Sequence, residues 1–132
     1  MNELKLKDVI SAGGGTFDRH GQPIEKLSGF WVGGRSKVVA VPIWFLDQDL
    51  SILEVIDQAL GASYPKPVGK DQGYGFWVET KTGSVNDEQL PYLLHIEISD
   101  HTINERYAIQ LGQARDQIAI WDCYDSVEIR LK

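Results

Sequence analysis

His95 and Glu97 stand two residues apart in the stretch from Tyr92 to Ile98, Tyr-Leu-Leu-His-Ile-Glu-Ile. On an extended strand, an imidazole and a carboxylate at this spacing lie about 7 Å apart on one face. Such a pair can share a proton or supply two ligands to a metal ion. A third ligand would have to come from elsewhere, for example from His20, His101 or Asp100, and none of these has a diagnostic spacing. A metal-dependent hydrolase using His95 and Glu97 is therefore one hypothesis among three.

The strand that would carry this pair alternates between two kinds of side chain. Successive side chains of a strand point to opposite faces, so the apolar residues of this stretch share one face. These residues are Tyr92, Leu94, Ile96 and Ile98. We expect a sheet strand with one buried face and one mixed face, and the mixed face carries His95 and Glu97.

A second acidic pattern involves Asp71, Glu79 and Lys81. Glu79-Thr80-Lys81, preceded by an acid, resembles the Glu-x-Lys half-motif of the PD-(D/E)xK nucleases, which implies a metal ion bound by the two acids and a lysine near the attacking water. Asp71, however, lies in a glycine-rich loop rather than on a strand. The acidity of the chain also argues against an enzyme that acts on DNA.

The aromatic residues make the strongest case for recognition. All four tryptophans lie on or next to predicted strands, and we expect more ring surface than one small core can bury. Rings left uncovered can line a ligand pocket or anchor a protein interface. The predicted binding residues are Trp31, Trp44, Tyr64, Tyr74, Trp77, His95, Glu97 and Trp121.

Composition limits the classes of function. The chain has 132 residues, a net charge of -6 and a pI near 4.9, so it suits one domain and lacks the overall basic charge typical of nucleic-acid binding. No apolar run approaches the roughly 20 residues that cross a bilayer, and we expect no membrane contact. A lone cysteine, Cys123, fits a reducing cytoplasm. Its acidic neighbours disfavour a reactive thiolate.

Two helices are predicted from their end signals. A short helix spans Asn2 to Ala12, and the glycines Gly13–Gly15 end it. The main helix spans Leu50 to Leu60, because Ser51 and Glu54 have the spacing of a capping box before an apolar stripe.

The middle of the chain predicts a hairpin and a long loop. We expect a hairpin made of two strands, Ser28 to Val32 and Lys37 to Val41. If Gly33 to Ser36 form a four-residue turn, apolar residues lie opposite apolar residues on both faces of this hairpin. Ser63 to Gly75 contains two prolines and several glycines, so we expect a loop that either closes over a site or is simply surface. Thr102 to Leu111 fits either a helix or a strand, and the alternation of its apolar residues favours the strand.

The remaining strands are shorter. They are Thr16–Arg19, Phe76–Lys81, Gln117–Trp121 and the alternating stretch Val127–Leu131, with a tight turn near Asp100–His101. Short connections favour antiparallel neighbours. The sequence therefore predicts a single α+β domain: a curved antiparallel sheet of about five to seven strands with helix 50–60 packed on one face and a short N-terminal helix.

Three functional hypotheses follow. The leading one is a non-catalytic domain that recognises a protein partner, expected to be basic, through an aromatic face with an acidic rim. In size and charge such a chain resembles bacterial toxin-immunity proteins. The second hypothesis is a small-molecule pocket between the sheet and helix 50–60, and the third is the hydrolase. No cofactor is expected, and the sequence leaves a homo-oligomer open.

Overall fold

The computed structural model describes residues 4–82 and 89–132. These residues form three α-helices and an open antiparallel sheet of seven strands, which confirms the predicted α+β class. The elements are α1 (Leu6–Ala12), β1 (Gly14–Phe17), β2 (Phe30–Val32), β3 (Val39–Pro42), a 3₁₀ turn (Ile43–Phe45), α2 (Ile52–Ala59), β4 (Gln72–Thr82), β5 (Gln89–Thr102), α3 (Glu105–Ala114), β6 (Ala119–Asp122) and β7 (Val127–Arg130).

Strand β5 lies at the centre of the sheet. It pairs with β4 along one edge, and with β2 and β3 along the other. This confirms the strand predicted at Tyr92 to Ile98. The tight turn predicted at Asp100–His101 is wrong, because both residues continue β5 and pair with β2.

The hairpin predicted from 28–32 and 37–41 is also wrong. Strands β2 and β3 both pair with β5, at residues 100–102 and 93–96. Residues 33–38 leave the ladder between them, and there Ser36 Oγ accepts a hydrogen bond from the Ile98 backbone N–H at 2.9 Å. The two segments, which have apolar residues on both faces, thus each pair with β5, which is distant in sequence, and not with each other.

Helices α1 and α2 pack on one face of the sheet. The capping box of α2 is confirmed, since Ser51 Oγ accepts from the Glu54 N–H and the Glu54 carboxylate accepts from the Ser51 N–H. Helix α1 begins at Leu6, and Asn2, its predicted cap, lies outside the described residues. Gly13 ends α1 as predicted, with a φ of 86° that an L side chain rarely adopts. The core beneath these helices includes Leu6, Val9, Val55, Ile56, Phe76, Leu94, Ile96 and Ile98.

Helix α3 replaces the strand predicted at 102–111. Asn104 caps it by accepting a hydrogen bond from the Tyr107 N–H at 2.9 Å. Its buried positions are Ala108 and Gly112, four residues apart and therefore on one side of a helix. A Cβ at Gly112 would overlap Leu131 and Ile120. The two small residues lie at the centre of the contact, and Ile109 and Leu111 pack beside them, partly buried.

The predicted loop 63–75 is shorter than expected. Gln72 already begins β4, and Tyr74 of that strand is only 3% exposed within the core. Tyr74 is thus a core residue rather than part of a flap. The strands predicted at 16–19, 76–81, 117–121 and 127–131 are present as β1, β4, β6 and β7 with shifted ends.

The two faces of the sheet differ in their cover. Residues paired across strands share a face, and all three helices pack on the face that carries Phe76, Ile96 and Val32. We call the other side the open face, which carries Trp77 and Glu79 of β4 and Leu93, His95 and Glu97 of β5. Within 4–82 and 89–132, no helix is long and apolar enough to cross a bilayer.

Candidate functional site

Three side chains of the open face form a contact cluster. Trp77 and His95 are direct partners across β4 and β5, and their rings stack at 3.7 Å with only 4° between the planes. Glu79 lies two residues along β4 on the same face, and its Oε1 is 3.1 Å from His95 Nε2. We call these three residues the Trp77 cluster.

The cluster is fixed on its inner side and open on its outer side. The His95 side chain is only 13% exposed, because the indole covers one face of its ring. Trp77 itself remains 44% exposed and the Glu79 side chain 41% exposed. An indole beside a carboxylate offers a π-face and a negative charge to a cation. The arrangement suits binding of a positively charged group.

Glu97 does not join His95 in a shared site. The two lie on the same strand face, as predicted, but His95 turns to Glu79 while the Glu97 carboxylate lies against Gly33 and Gly34. Glu97 is 7% exposed and accepts a hydrogen bond from the Gly34 N–H. A Cβ at Gly33 would overlap this carboxylate, so a larger residue there would displace the Glu97 side chain.

Burial raises the pKa of Glu97 above its ordinary value of 4.5, and the Gly34 hydrogen bond and the Arg115 guanidinium only partly offset this. The folded protein therefore binds this proton more tightly than the unfolded chain. Ionisation of Glu97 then lowers the free energy of unfolding as the pH rises from 4.5 to the folded-state pKa.

We expect Glu97→Gln to remove this loss. The free energy of unfolding of the variant minus that of wild type should increase with pH above 4.5 and then level off, as measured by urea denaturation at a series of pH values. Glu54→Gln is the matched control with the opposite sign. Hydrogen bonds with the backbone and hydroxyl of Ser51 lower the pKa of Glu54. The ionised Glu54 carboxylate therefore raises the free energy of unfolding at neutral pH, and this stabilisation is lost on acidification. If the difference in free energy of unfolding between Glu97→Gln and wild type does not change with pH, the pKa of Glu97 is not raised in the folded protein.

The other predicted aromatic residues fall into exposed and buried groups. Trp44 is 72% exposed and stacks on Phe45, itself 67% exposed, with ring centroids 4.0 Å apart. Both follow Pro42, which pairs with Leu93 at the end of β3. Trp121 is 42% exposed. Three of the four indoles thus reach the surface.

Trp31 is buried at 7% exposure, edge-on to His101. The open face is covered at this end by residues 22–29, which cross from β1 to β2: Ile24 lies over Gly73, and His101 Nε2 donates to the Ser28 carbonyl at 2.8 Å. The position of this crossing could not be inferred from composition. It makes Trp31 a packing residue.

The hydroxyl of Tyr64 forms hydrogen bonds within the protein. Its hydroxyl donates to the Lys37 carbonyl at 2.6 Å and lies 2.7 Å from Ser36 Oγ. Burial raises the pKa of Tyr64, with a smaller effect from the charge of Glu97. Tyr64 therefore joins the segment between α2 and β4 to the segment between β2 and β3.

Several other predicted sites do not assemble. Asp71 directly precedes β4 and is separated from Glu79 by most of that extended strand, and Asp71 binds Lys26 at 3.1 Å, so the two acids of the half-motif cannot share a metal ion. In the described part of the chain no three His, Cys, Asp or Glu side chains come together as a metal-binding group. The pKa of Cys123 is raised, first by burial and then by Asp122, which agrees with the expected unreactive thiol.

Two depressions in the surface of the described residues lie away from the predicted pocket. One cavity of about 240 Å³ lies between α1 and β1, lined in part by Val9 and Phe17. A shallower depression lies at the start of α3, beside Asn104. The contact between α2 and the sheet, where a pocket was predicted, contains the buried side chains of Val55 and Ile56.

No family model, curated protein or solved structure matched this chain when it was compared with them. The functional argument therefore rests on its own residues. Sequence reasoning missed two members of the exposed aromatic and acidic surface, Phe45 and Glu79. The signal for Glu79 was its place on a strand two residues after Trp77, but its contact with His95 depends on the β4–β5 register.

Proposed function

We propose that this protein recognises a basic protein partner without catalysis, through the open face centred on the Trp77 cluster. The observation that carries the proposal is the cluster itself: a half-exposed indole held rigidly against His95 beside the carboxylate of Glu79. An arginine or lysine of the partner fits this combination, because its cation can lie over the indole while the carboxylate accepts its hydrogen bonds.

Rigidity supports this proposal. A tryptophan that already occupies its bound position loses little side-chain freedom when a partner docks, and rings of this kind dominate the energetics of many interfaces. The stacked pair Trp44 and Phe45, beyond the end of β3, offers further exposed ring surface. Exposed aromatic side chains of this kind are typical of protein interaction sites.

The charge of the chain supports a basic partner. A net charge of -6 attracts positively charged proteins and steers them during encounter, an effect that salt weakens. An inhibitor-like or immunity-like role in the cytoplasm accounts for the small size, the acidity and the lone cysteine together. We propose this role on chemistry, with the partner identified only as a protein with a basic, arginine- or lysine-bearing surface.

The test compares variants of the immobilised protein against a captured partner. We expect wild type to retain a basic protein from a lysate of its own source cells at low salt. Trp77→Ala should then weaken binding of that purified partner by at least about tenfold in a titration. Glu79→Gln should weaken it less and should make it less sensitive to salt.

Tyr124→Ala is the control, because Tyr124 is a large ring, 78% exposed, in the turn between β6 and β7 rather than on β4 or β5. This variant should bind as wild type does. A partner that is acidic, or one whose affinity is unchanged in Trp77→Ala, would refute the proposed function.

A further inference from the structure

The strands at the two ends of the sheet order, β1 and β7, differ in their cover, and β3, which lies outside this order, pairs with β5 alone in the described residues. At one edge, β1 is covered by the segment that follows it: the Ile24 N–H donates to the Thr16 carbonyl at 2.9 Å, and Phe17 bridges to Pro23. The other edge is β7, which pairs with β6 on its inner side and with no further strand in the part of the chain that the structure describes. An uncovered edge strand is a template for another strand.

The hydrogen-bond pattern shows which backbone groups of β7 face outward. Just beyond the paired strands, the Leu131 N–H donates to the carbonyl of Ile118, the residue opposite it when the β6–β7 register is continued, at 2.8 Å. Antiparallel pairs alternate between bonded and non-bonded, so Ile129 and Val127 also turn their backbone groups towards β6. The N–H and C=O groups of Glu128 and Arg130 therefore point away from the sheet, and both side chains are exposed.

A second copy of the same strand can satisfy these groups. In a symmetric antiparallel pair, the two-fold axis lies between the strands, midway between one residue and the same residue of the second copy. The residues whose backbone groups face outward must then lie opposite each other, so that these groups can form hydrogen bonds. An axis at Glu128 would place two glutamates opposite each other, and an axis at Arg130 would place two arginines opposite each other. An axis at Ile129 instead places each Glu128 opposite the Arg130 of the second copy.

We propose that β7 pairs with β7 of a second copy in the register centred on Ile129, which joins two seven-stranded sheets into one. Four backbone hydrogen bonds and two Glu128–Arg130 ion pairs form on this edge. Ile129 meets its own copy at a non-bonded pair, where side chains lie closest. Like charges directly opposite each other destabilise a sheet, so the sequence selects this register over its symmetric alternatives.

The interface is short, and we expect association that depends on concentration and weakens with salt. Sedimentation of wild type over a concentration series should give a monomer–dimer equilibrium. Glu128→Arg and Arg130→Glu each turn both ion pairs into like-charge pairs and should raise the dissociation constant by about tenfold. The double variant Glu128→Arg with Arg130→Glu exchanges the charges and should restore the wild-type value.

Glu25→Arg is the matched control for Glu128→Arg, since it makes the same change in net charge on the exposed segment that crosses the open face. It should leave the dissociation constant of the dimer unchanged. A wild type that stays monomeric at the highest concentration, or a double variant as weak as the single ones, would overturn the proposal.

Cross-linking tests the register separately. In a Cys123→Ser background, Ile129→Cys should form a disulfide with its own copy under mild oxidation, because the Cα atoms of a non-bonded pair lie about 4.5 Å apart, within disulfide range. Glu128→Cys should remain unlinked, since position 128 faces position 130 of the second copy. Linkage of Glu128→Cys without linkage of Ile129→Cys would contradict the Ile129-centred register.

Discussion

Replacing Ile96 by alanine should remove about 4 kcal/mol of stability, a large part of what holds a domain of this size folded. Ile96 is fully buried on β5, with Val39 beside it on one neighbouring strand and Phe76 on the other. Truncation leaves a cavity between strands on both sides of the central strand, and neither neighbour can move to fill it without breaking its own ladder.

Urea denaturation measures this loss as a lower midpoint at an unchanged slope. Ile103→Ala is the matched control, because it makes the same chemical change at a side chain that is 82% exposed. We expect its effect to stay within about 0.5 kcal/mol. Equal losses for the two variants would mean that β5 is not the centre of the core.

Asp100→Ala should have the second largest effect, a loss of about 3 kcal/mol. The Asp100 carboxylate accepts hydrogen bonds from Arg115 Nη2 at 2.7 Å, from Gln72 Nε2 at 3.2 Å and from Arg35 Nη1 at 3.3 Å. Its side chain and that of Arg115 are each only 18% exposed. Without the carboxylate, a mostly buried guanidinium is left with only weak contacts to the carbonyls of β2 and the residue after it.

Asp71→Ala provides the comparison. Asp71 also binds a cation, Lys26 at 3.1 Å, but its side chain is 74% exposed, so solvent screens the pair. We expect a loss below about 1 kcal/mol. Thermal and urea unfolding of both variants would show the difference, and a small effect at Asp100 would mean that the Arg115 network does not hold the end of α3 to β5.

Local patterns predicted the elements that depend on neighbouring residues. The alternation from Tyr92 to Ile98 identified the central strand, because one of its faces packs in the apolar core and the other carries His95 and Glu97. Ser51 and Glu54 identified the start of α2, because a capping box is completed within one turn. Both features depend on residues only a few positions apart, so they can be predicted from the sequence without knowing which distant segments pair.

Pairing between distant segments could not be predicted in the same way. The residues of β2 and β3 suit each other in a hairpin, yet β5 offers both of them a longer ladder. Helix α3 was mistaken for a strand because its fully buried positions are Ala108 and Gly112, which carry almost no hydrophobic signal, while Ile109 and Leu111 beside them fit the alternation of a strand. The Trp77–His95 stack likewise depends on a register that only the folded sheet defines.

The central position of β5 has a consequence for synthesis of the chain on the ribosome. Strands β1 to β4 are all made before β5, and three of these four, β2, β3 and β4, take β5 as a direct partner. The nascent chain thus carries β-forming segments with exposed backbone groups until Thr102 has emerged. The pairings of β2, β3 and β4 with β5 must wait for that moment, and among these three the pairing of β4 with β5 joins the strands nearest in sequence and has the smallest entropy of closure to overcome.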